Sequence, residues 1–391
     1  TCSRSTAWTI PGRDRVELPE TRCDVLVVGN GAAGCLASIL LARRGYDVCM
    51  ISRGTTSTSL STSRTSLSGV SRRDDVVQLL KGLGAAHGLF GSPPGMEEGI
   101  TCLGSTMRQD LSSPHDWLRS DPERTAVLGL KGNADLDPDL LCRMVERTGS
   151  LGECRPYWAD LGLPISIDAG GGHTLTRESR VAVEGLAEAI SELDEEMVII
   201  PPLFLGTRYD LALSILERSS GRIVREAATP LSNPGRRLQS CLEQAALDSG
   251  CLPLRDRQIC GSKAQGDNML EVRMRSGMRE GTIRFGTLVL ATGNIVSGGL
   301  QVGCDGPYDP VFDLATDMAV TGSLRSTALT TALSAGIRNH EGRAVRRDGT
   351  IMQNVWVAGS ACPGLSYPLG RGLGHVASSA LTISELVEGH L

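Results

Sequence analysis

Three glycines near the start of the sequence, Gly29, Gly31 and Gly34, have the spacing Gly-x-Gly-x-x-Gly. This spacing suits a turn that binds a pyrophosphate. The first glycine permits the tight turn, the second lets the backbone approach the phosphates, and the third lets a helix pack closely on a strand. The N–H groups and positive dipole of the helix start then stabilise negative charge. We therefore predict that Gly29, Gly31, Ala32, Ala33 and Gly34 bind dinucleotide phosphates.

A segment rich in serine, threonine and glycine follows at residues 53–69. Such a composition is typical of a flexible linker, and a linker is the alternative interpretation. Because the segment leaves the second strand of a nucleotide-binding fold, we expect it to lie over the nucleotide and to donate O–H and N–H bonds to phosphates. The cofactor-binding residues that we predict here are Ser52, Arg53, Gly54, Ser59, Ser68 and Gly69.

Two later stretches also combine an apolar strand with glycine. Residues 287–293 are an apolar strand that ends in a glycine turn, and residues 354–360 are a second one. A glycine-rich loop at 364–374 then precedes a last helix. Backbone N–H groups at such a helix start can stabilise negative charge, whereas a plain connector is the alternative. The cofactor-binding residues predicted here are Ala291, Thr292, Gly293, Gly359, Ser360, Arg371, Gly372, Leu373 and Gly374.

The elements that position these residues are predicted from hydrophobic periodicity and from glycine and proline stops. Residues 24–52 show the order strand, helix, strand, which is a βαβ unit. Residues 158–165 resemble a helix end followed by a turn, and residues 70–135 show no clear pattern apart from a short helix at 74–83. The other predicted elements are helices at 140–147, 183–193, 209–219, 236–249 and 375–387, strands at 197–202, 287–290 and 354–358, and a hairpin at 272–285.

Composition restricts the class of function. A chain of 391 residues allows two or three domains, and its net charge of −5 provides no basic surface for nucleic acid or anionic lipid. The sequence contains no apolar run long enough for a transmembrane helix. None of the 12 cysteines forms a Cys-x-x-Cys pair, so we predict no iron–sulfur or zinc site and a reduced, cytoplasmic protein.

Together, the βαβ unit, Ala291-Thr292-Gly293 and the Ala358-Gly359-Ser360 stretch resemble the flavoprotein superfamily that includes the fumarate reductase and succinate dehydrogenase flavoproteins. Within that superfamily, the sequence resembles in particular the family of the B subunit of anaerobic glycerol-3-phosphate dehydrogenase. The resemblance covers residues 24–69 and 195–390. The stretches that carry it are 51–54 with the serine-rich segment after it, 229–238, 291–300 and 358–360.

This resemblance implies a flavin-dependent oxidoreductase subunit that oxidises sn-glycerol 3-phosphate to dihydroxyacetone phosphate. Electrons would pass to quinone through a catalytic flavoprotein subunit and an iron–sulfur subunit of a hetero-oligomeric complex. The resemblance also implies a cytoplasmic protein that is held at the membrane by its partners and does not itself insert. A flavin-bearing relay or scaffold subunit with no substrate site of its own is the alternative.

Residues 161–177 support a rival interpretation. Leu161-Gly162-Leu163-Pro164, followed by Gly171-Gly172-His173 and Arg177, is similar to the substrate-side segment of the wider superfamily. In that segment a histidine and an arginine face a dicarboxylate, which would indicate a fumarate or succinate enzyme. The further cationic cluster that a dicarboxylate needs has no counterpart between residues 236 and 287, and this argues against the rival.

His173, Arg177 and His375 are the candidate catalytic residues. The imidazole of His173 titrates near neutral pH and can transfer a proton. Arg177 can bind a phosphate or carboxylate, and His375, at the start of the last helix, can contact flavin. A surface-loop histidine, a solvated arginine and a capping histidine are the respective alternatives. Arg236 and Arg237 begin a helix, and for them a solvated face is the default expectation.

Two departures from the superfamily pattern bear on the cofactor. Ser52 takes the place of the acidic residue that usually holds the ribose hydroxyls at the end of the second strand. Ser360 likewise stands where fumarate reductases have an acidic residue. The pyrophosphate turn favours FAD, whereas the missing carboxylate favours FMN, the cofactor usually assigned to the B subunit family.

The fold class predicted from these observations is α/β. We expect a Rossmann-like FAD/NAD(P)-binding flavoprotein fold with an inserted α+β cap domain. Because the nucleotide motifs lie at both ends of the chain, we predict a discontinuous flavin-binding domain of residues 24–70 and 235–391. Residues 71–234 would form the substrate-side insertion, and residues 1–23 an extension that could dock a partner.

Overall fold

A computed structural model describes most of the chain from residue 20 onwards. The described residues are 20–84, 89–91, 98–116, 118, 123–149, 151–162, 165–167, 173–175, 179–204, 209–228, 233–318, 334–365 and 372–391. The helices in these ranges are α1 (Ala32–Arg43), α2 (Arg73–Gly84), α3 (Pro138–Thr148), α4 (Ser179–Ser191), α5 (Tyr209–Ser220), α6 (Asn233–Asp248) and α7 (Leu373–Glu388).

The strands fall into one large sheet, one smaller parallel sheet and several hairpins. In chain order they are β1 (Thr21–Val28), β2 (Val48–Ile51), β3 (Glu98–Ile100), β4 (Thr106–Arg108), β5 (Arg124–Leu130), β6 (Glu153–Ala159), β7 (Ile165–Ile167), β8 (His173–Leu175), β9 (Met197–Ile200), β10 (Ile223–Glu226), β11 (Leu252–Leu254), β12 (Gln258–Gln265), β13 (Asn268–Ser276), β14 (Arg279–Leu290), β15 (Gln301–Gly303), β16 (Gly306–Tyr308), β17 (Thr316–Asp317), β18 (Gly336–Ile337), β19 (Asn339–His340), β20 (Arg343–Val345) and β21 (Ile351–Val357).

The large sheet has the order β11-β2-β1-β14-β21-β20-β19. Its first five strands are parallel to one another, and α1 connects β1 to β2, as the βαβ prediction requires. Strands from both ends of the sequence therefore share this sheet. The carboxyl ends of β1, β2, β14 and β21 meet at one edge, which is where open α/β sheets bind ligands.

Strand β1 shows why the sheet is buried on both faces. Val25 and Val27 face the core formed with α1, α6 and α7, whereas Leu26 and Val28 face a second core on the other side. Successive side chains of a strand point to opposite faces, so a continuous apolar run is needed when both faces are covered.

The predicted hairpin at residues 272–285 is present as β13 and β14, which pair antiparallel. The structure adds a feature that the sequence pattern did not indicate. The separately predicted strand at 287–290 continues the same strand, so β14 is 12 residues long. Its first half pairs with β13, and its second half joins the parallel core beside β1 and β21.

Residues 71–234, which we predict as an insertion, contain a separate parallel sheet with the order β10-β9-β5-β6. Helix α3 connects β5 to β6, and α4 and α5 precede β9 and β10. Taken in chain order, the four strands have the arrangement 2-1-3-4, which is a doubly wound α/β layer. The α/β class is confirmed. Beside the antiparallel hairpins β3–β4 and β7–β8, the insertion thus includes a βαβ layer of its own.

The prediction of a helix end at residue 158 is wrong, because Trp158 belongs to β6. This strand contains Pro156 and the two charged residues Glu153 and Arg155, a composition that argues against a central strand. β6 lies at the edge of its sheet, where proline and charge are tolerated because one row of backbone groups faces solvent.

The two sheets are joined by a buried ion pair. Arg237 at the start of α6 donates two hydrogen bonds to Glu226 at the end of β10, at 3.0 and 2.8 Å. Both residues are at most 5% exposed, and the guanidinium stacks 3.8 Å above the Tyr209 ring. Burial raises the pKa of Glu226 to about 6. The expectation of a solvated Arg237 is therefore wrong: α6 turns this face towards the insertion.

Removing one member of this pair is predicted to destabilise the protein strongly. Glu226→Gln leaves the buried guanidinium without its countercharge, which costs about 3–5 kcal/mol. The double variant Glu226→Gln/Arg237→Met removes both charges and is expected to be more stable than Glu226→Gln. The measurement is the free energy of unfolding in denaturant.

Asp317→Asn is the matched control. It breaks a pair between Asp317 and Arg338, whose side chains are 40% and 51% exposed, and is expected to cost less than about 1 kcal/mol. Equal costs for Glu226→Gln and Asp317→Asn would contradict the prediction.

Candidate functional site

A cleft lies at the carboxyl edge of the large sheet. Its empty volume, including the part open to solvent, is about 940 Å³. The starts of α1 and α7, the turns after β1 and β14, and the serine-rich segment after β2 form its walls. The predicted cofactor residues that line it are Gly29, Gly31, Ala32, Ala33, Arg53, Ala291, Thr292, Gly293, Ser360, Gly372 and Leu373.

The three glycines of the turn have different surroundings. Gly29 has a φ of +109°, and a Cβ there would lie 2.3 Å from the Ala291 carbonyl oxygen. A Cβ on Gly34 would lie 1.7 Å from the Gly29 oxygen. Gly31 faces the cleft, and a Cβ there would meet only an ordinary 3.5 Å contact with the Thr58 hydroxyl among described atoms. Gly29 and Gly34 are thus required by the fold, and Gly31 borders the space for a ligand.

The serine-rich segment is packed against this turn. Thr58 Oγ1 accepts a hydrogen bond from Ala32 N, in the first turn of α1, at 2.8 Å. Ser297 Oγ donates to Ser57 Oγ at 3.0 Å, and the backbone of Ser61 contacts Gly235 of α6. The segment therefore forms a wall of the cleft.

Two features of the cleft fit a flavin dinucleotide. Thr292 Oγ1 is buried and has no hydrogen-bond partner among the described residues, so a polar atom is available to a ligand in the cleft. Helix α7 also opens onto the cleft through Gly372 and Leu373, and Gly372 provides no side-chain cap. Its first N–H groups can therefore stabilise negative charge on a bound group.

The remaining predicted cofactor residues that the structure describes lie outside the cleft lining. Gly359 and Gly374 pack behind its walls, where a Cβ would lie 2.4 Å from Ala33 Cβ and 2.6 Å from the Ser66 oxygen, respectively. Ser52 borders a smaller adjoining cavity. Arg371 lies outside the described residues. The others in this group are Gly34, Gly54, Ser59, Ser68 and Gly69.

The candidate catalytic residues lie in different parts of the chain. His173 begins β8, whose backbone pairs with β7, and its side chain lies outside what the structure describes. Arg177 lies outside the described residues. His375 Nε2 is 3.1 Å from the Ser68 carbonyl oxygen and does not line the cleft. The catalytic roles of these three residues stay predictions.

Arg64 is a cleft residue that sequence reasoning missed. Its side chain is 2% exposed and lies 3.8 Å from the Asp116 carboxylate. Nη1 donates to the Ile100 oxygen at 3.0 Å, and Nη2 donates to the Glu226 oxygen at 3.1 Å. The preceding residue, Ser63, has a φ of +57°, a conformation that is uncommon outside glycine and concentrated at functional sites. The available signal was an arginine in the middle of a hydroxyl-rich segment.

The fold and the cleft define a FAD-binding flavoprotein, and a model of the FAD binding domain family matches residues 22–128. The cofactor is FAD, and the chain is a flavin-dependent oxidoreductase. The B subunit of anaerobic glycerol-3-phosphate dehydrogenase from Glaesserella parasuis is 25% identical over 299 residues, which cover 68% of this chain and 67% of that protein. The Yersinia enterocolitica protein of the same name is 22% identical over 422 residues, which cover 93% and 97% of the two chains.

A solved structure of the myxobacterial chondrochloren halogenase CndH is also similar in part. The match has a TM-score of 0.29 at 11% identity and covers 70% of this chain. This chain spans 38% of the halogenase. A likeness at these values supports no conclusion about the reaction.

Two features are absent from the described ranges of the chain. No helix there combines the length and apolar content needed to span a bilayer. No group of three or more His, Cys, Asp or Glu side chains there could hold a metal ion.

Gly31→Val is predicted to lower FAD affinity by about 100-fold or more, because a branched side chain would occupy the space that the phosphates need. The fold is expected to survive, since a Cβ at Gly31 meets only an ordinary contact at 3.5 Å. The measurement is a titration of the apoprotein with FAD, followed by flavin fluorescence. Gly82→Val is the control, because a Cβ on Gly82 has no described atom within 4 Å. Wild-type FAD affinity in folded Gly31→Val would refute the prediction.

Proposed function

We propose that this protein is a subunit of a glycerol-3-phosphate dehydrogenase that oxidises sn-glycerol 3-phosphate to dihydroxyacetone phosphate. The low-identity relatives of that name support the reaction, because they match up to 93% of the chain. The structural observation that carries the proposal is the position of Arg64 in the cleft. A phosphomonoester substrate needs a cation at the reacting end of the cofactor cleft.

Arg64 suits a phosphate for three reasons. Its guanidinium carries five N–H donors, and its contacts with described residues use at most three of them. Among the described residues that line the cleft, none is acidic, so a dianionic substrate meets no carboxylate in the lining. The backbone carbonyls of Ile100 and Glu226 fix the guanidinium plane, and arginine binds phosphate through such fixed, paired donors.

The location of Arg64 indicates the substrate end of the cleft. The chain just after it packs on the start of α7, where a Cβ on Gly374 would lie 2.6 Å from the Ser66 oxygen. The start of α7 is the place where we predict that N–H groups face the flavin ring. The Gly29–Gly34 turn, which suits the pyrophosphate, belongs to α1 instead.

The division of chemical work follows from this arrangement. FAD, when bound, supplies the acceptor for two electrons and a proton equivalent from the substrate carbon. Arg64 holds the phosphate and thereby orients the carbinol. The N–H groups at the start of α7 stabilise the negative charge that develops on the reduced ring. His173, Arg177 and His375 are proposed as the further catalytic residues, with a histidine taking the hydroxyl proton.

The proposal extends to the setting of the reaction. A catalytic flavoprotein subunit and an iron–sulfur subunit would carry electrons onward to quinone, and would hold this cytoplasmic chain at the membrane. The alternative is a relay or scaffold subunit that binds FAD but no substrate. The purified FAD-loaded chain, assayed alone with glycerol 3-phosphate and an artificial electron acceptor, distinguishes the two. Turnover supports the enzyme, whereas its absence from the isolated chain, together with activity of the co-purified complex, supports the relay.

Arg64→Gln is predicted to raise the KM for glycerol 3-phosphate about 10- to 150-fold, because hydrogen bonds to charged groups contribute about 1.5–3 kcal/mol. Steady-state assays with glycerol 3-phosphate and with glycerol test this, since glycerol has no phosphate and its kcat/KM should change little. FAD content and circular dichroism report whether the variant is folded and loaded.

Arg73→Gln is the matched control for this experiment. It removes the same charge from a side chain that is 57% exposed and pairs with Asp110 outside the cleft. An equal loss of activity towards glycerol and glycerol 3-phosphate in Arg64→Gln would count against phosphate binding and for a structural role.

A further inference from the structure

A carboxylate lies beside the serine that replaces the usual ribose-binding acid. Ser52, at the carboxyl end of β2, borders a small, narrow cavity whose empty volume, including the part open to solvent, is about 250 Å³. Glu243 of α6 and Arg255 border the same cavity. Glu243 is the one acidic residue among the described residues that line either the cleft or this cavity. Helix α6 therefore supplies the carboxylate that the end of β2 lacks.

Asn30 connects this carboxylate to the cofactor turn. It is the residue between Gly29 and Gly31, and it lines both the cleft and the adjoining cavity. Asn30 Nδ2 donates to Glu243 Oε1 at 2.8 Å. The carboxylate thus lies one side chain away from the turn that is expected to hold the pyrophosphate, and the adenosine ribose is the group of FAD that adjoins the pyrophosphate.

Gln239, one helical turn before Glu243, fixes the carboxylate further. Its Nε2 donates to the Asn30 carbonyl oxygen and to Glu243 Oε1, both at 2.7 Å. Its Oε1 accepts from the Thr56 hydroxyl at 2.8 Å. Because Gln239 is 7% exposed, these bonds tie α6, the turn and the serine-rich segment into one network. The position of Glu243 is therefore set by the same residues that shape the cleft.

The carboxylate retains capacity to accept further hydrogen bonds. An ionised carboxylate has about four acceptor positions, and the contacts of Glu243 with described residues use three. One of these comes from Arg255, at 2.8 Å, whose side chain is 57% exposed. An exposed ion pair of this kind contributes little to stability. A ligand hydroxyl can therefore replace Arg255 as the donor to Glu243 Oε2. Two acceptor positions suffice for the two hydroxyls of a ribose.

We propose that Glu243 holds the ribose hydroxyls of the adenosine half of FAD, in the role that a residue at the end of β2 ordinarily has. Asn30 and Gln239 are positioning residues that orient the carboxylate. The assignment rests on FAD as the cofactor and is independent of the substrate. It gives the chain a contact that FMN, which has no adenosine, cannot make.

The test is a double-mutant cycle in which the protein carboxylate and the ligand hydroxyls are removed separately and together. Apoprotein of the wild type and of Glu243→Gln is titrated with FAD and with FAD that carries 2′,3′-dideoxyadenosine, and flavin fluorescence gives the dissociation constants. We expect Glu243→Gln to weaken FAD about 10- to 100-fold and to weaken the deoxy analogue much less, because both hydroxyls that donate to the carboxylate are already missing. Such coupling identifies a direct contact.

Asp248→Asn is the matched control, since this exposed carboxylate on the same helix contacts Gln244 and should leave both affinities unchanged. An unchanged FAD affinity in Glu243→Gln would overturn the proposal. Equal weakening of FAD and the deoxy analogue would also overturn it, because it would show that Glu243 acts only by holding the turn. Circular dichroism and thermal unfolding establish that both variants are folded before titration.

Discussion

The close backbone packing of Gly29, Gly34 and Ala291 is the constraint on which the rest of the site depends. A side chain on Gly34 would overlap the Gly29 carbonyl, and one on Gly29 would overlap that of Ala291. Only with hydrogen at both positions can α1 begin directly beneath the ends of β1 and β14. That approach brings the helix start, the strand ends and Thr292 to one cleft. The cofactor site is thus a consequence of how tightly three backbone segments meet.

The other walls of the cleft are held in position by polar contacts between residues that are far apart in the sequence. Gln239 and Glu243 connect α6 to Asn30, and Glu226 and Arg237 connect the insertion to α6. Buried ion pairs contribute little net stability compared with apolar packing, and in some proteins they instead favour one arrangement over others. Here the pair joins β10 of the smaller parallel sheet to α6, which packs on the large sheet. Arg64 belongs to the same buried group, since it contacts Glu226 through the backbone.

The part of the site that the sequence could predict is the part made by neighbouring residues. The βαβ unit and the turn were predictable because three glycines at the spacing Gly-x-Gly-x-x-Gly lie within six residues, between an apolar strand and a helix. Arg237 could not be predicted as buried, because its partner Glu226 lies on a strand end in the insertion. The role of Glu243 could not be predicted either, because a carboxylate on a helix is expected to be solvated unless the position of the helix in the fold is known. Edge strand β6 was missed because its proline and charges are tolerated only at an edge.

Strand β14 takes part in both the antiparallel hairpin with β13 and the parallel core of the large sheet. It runs from the exposed turn beside Met278, which is 67% exposed, to the edge of the cleft at Ala291. At about 3.3 Å per residue, its 12 residues span roughly 40 Å. Neighbouring strands pair with it from one end to the other. The cleft and the distant hairpin turn are therefore the two ends of one continuously paired strand.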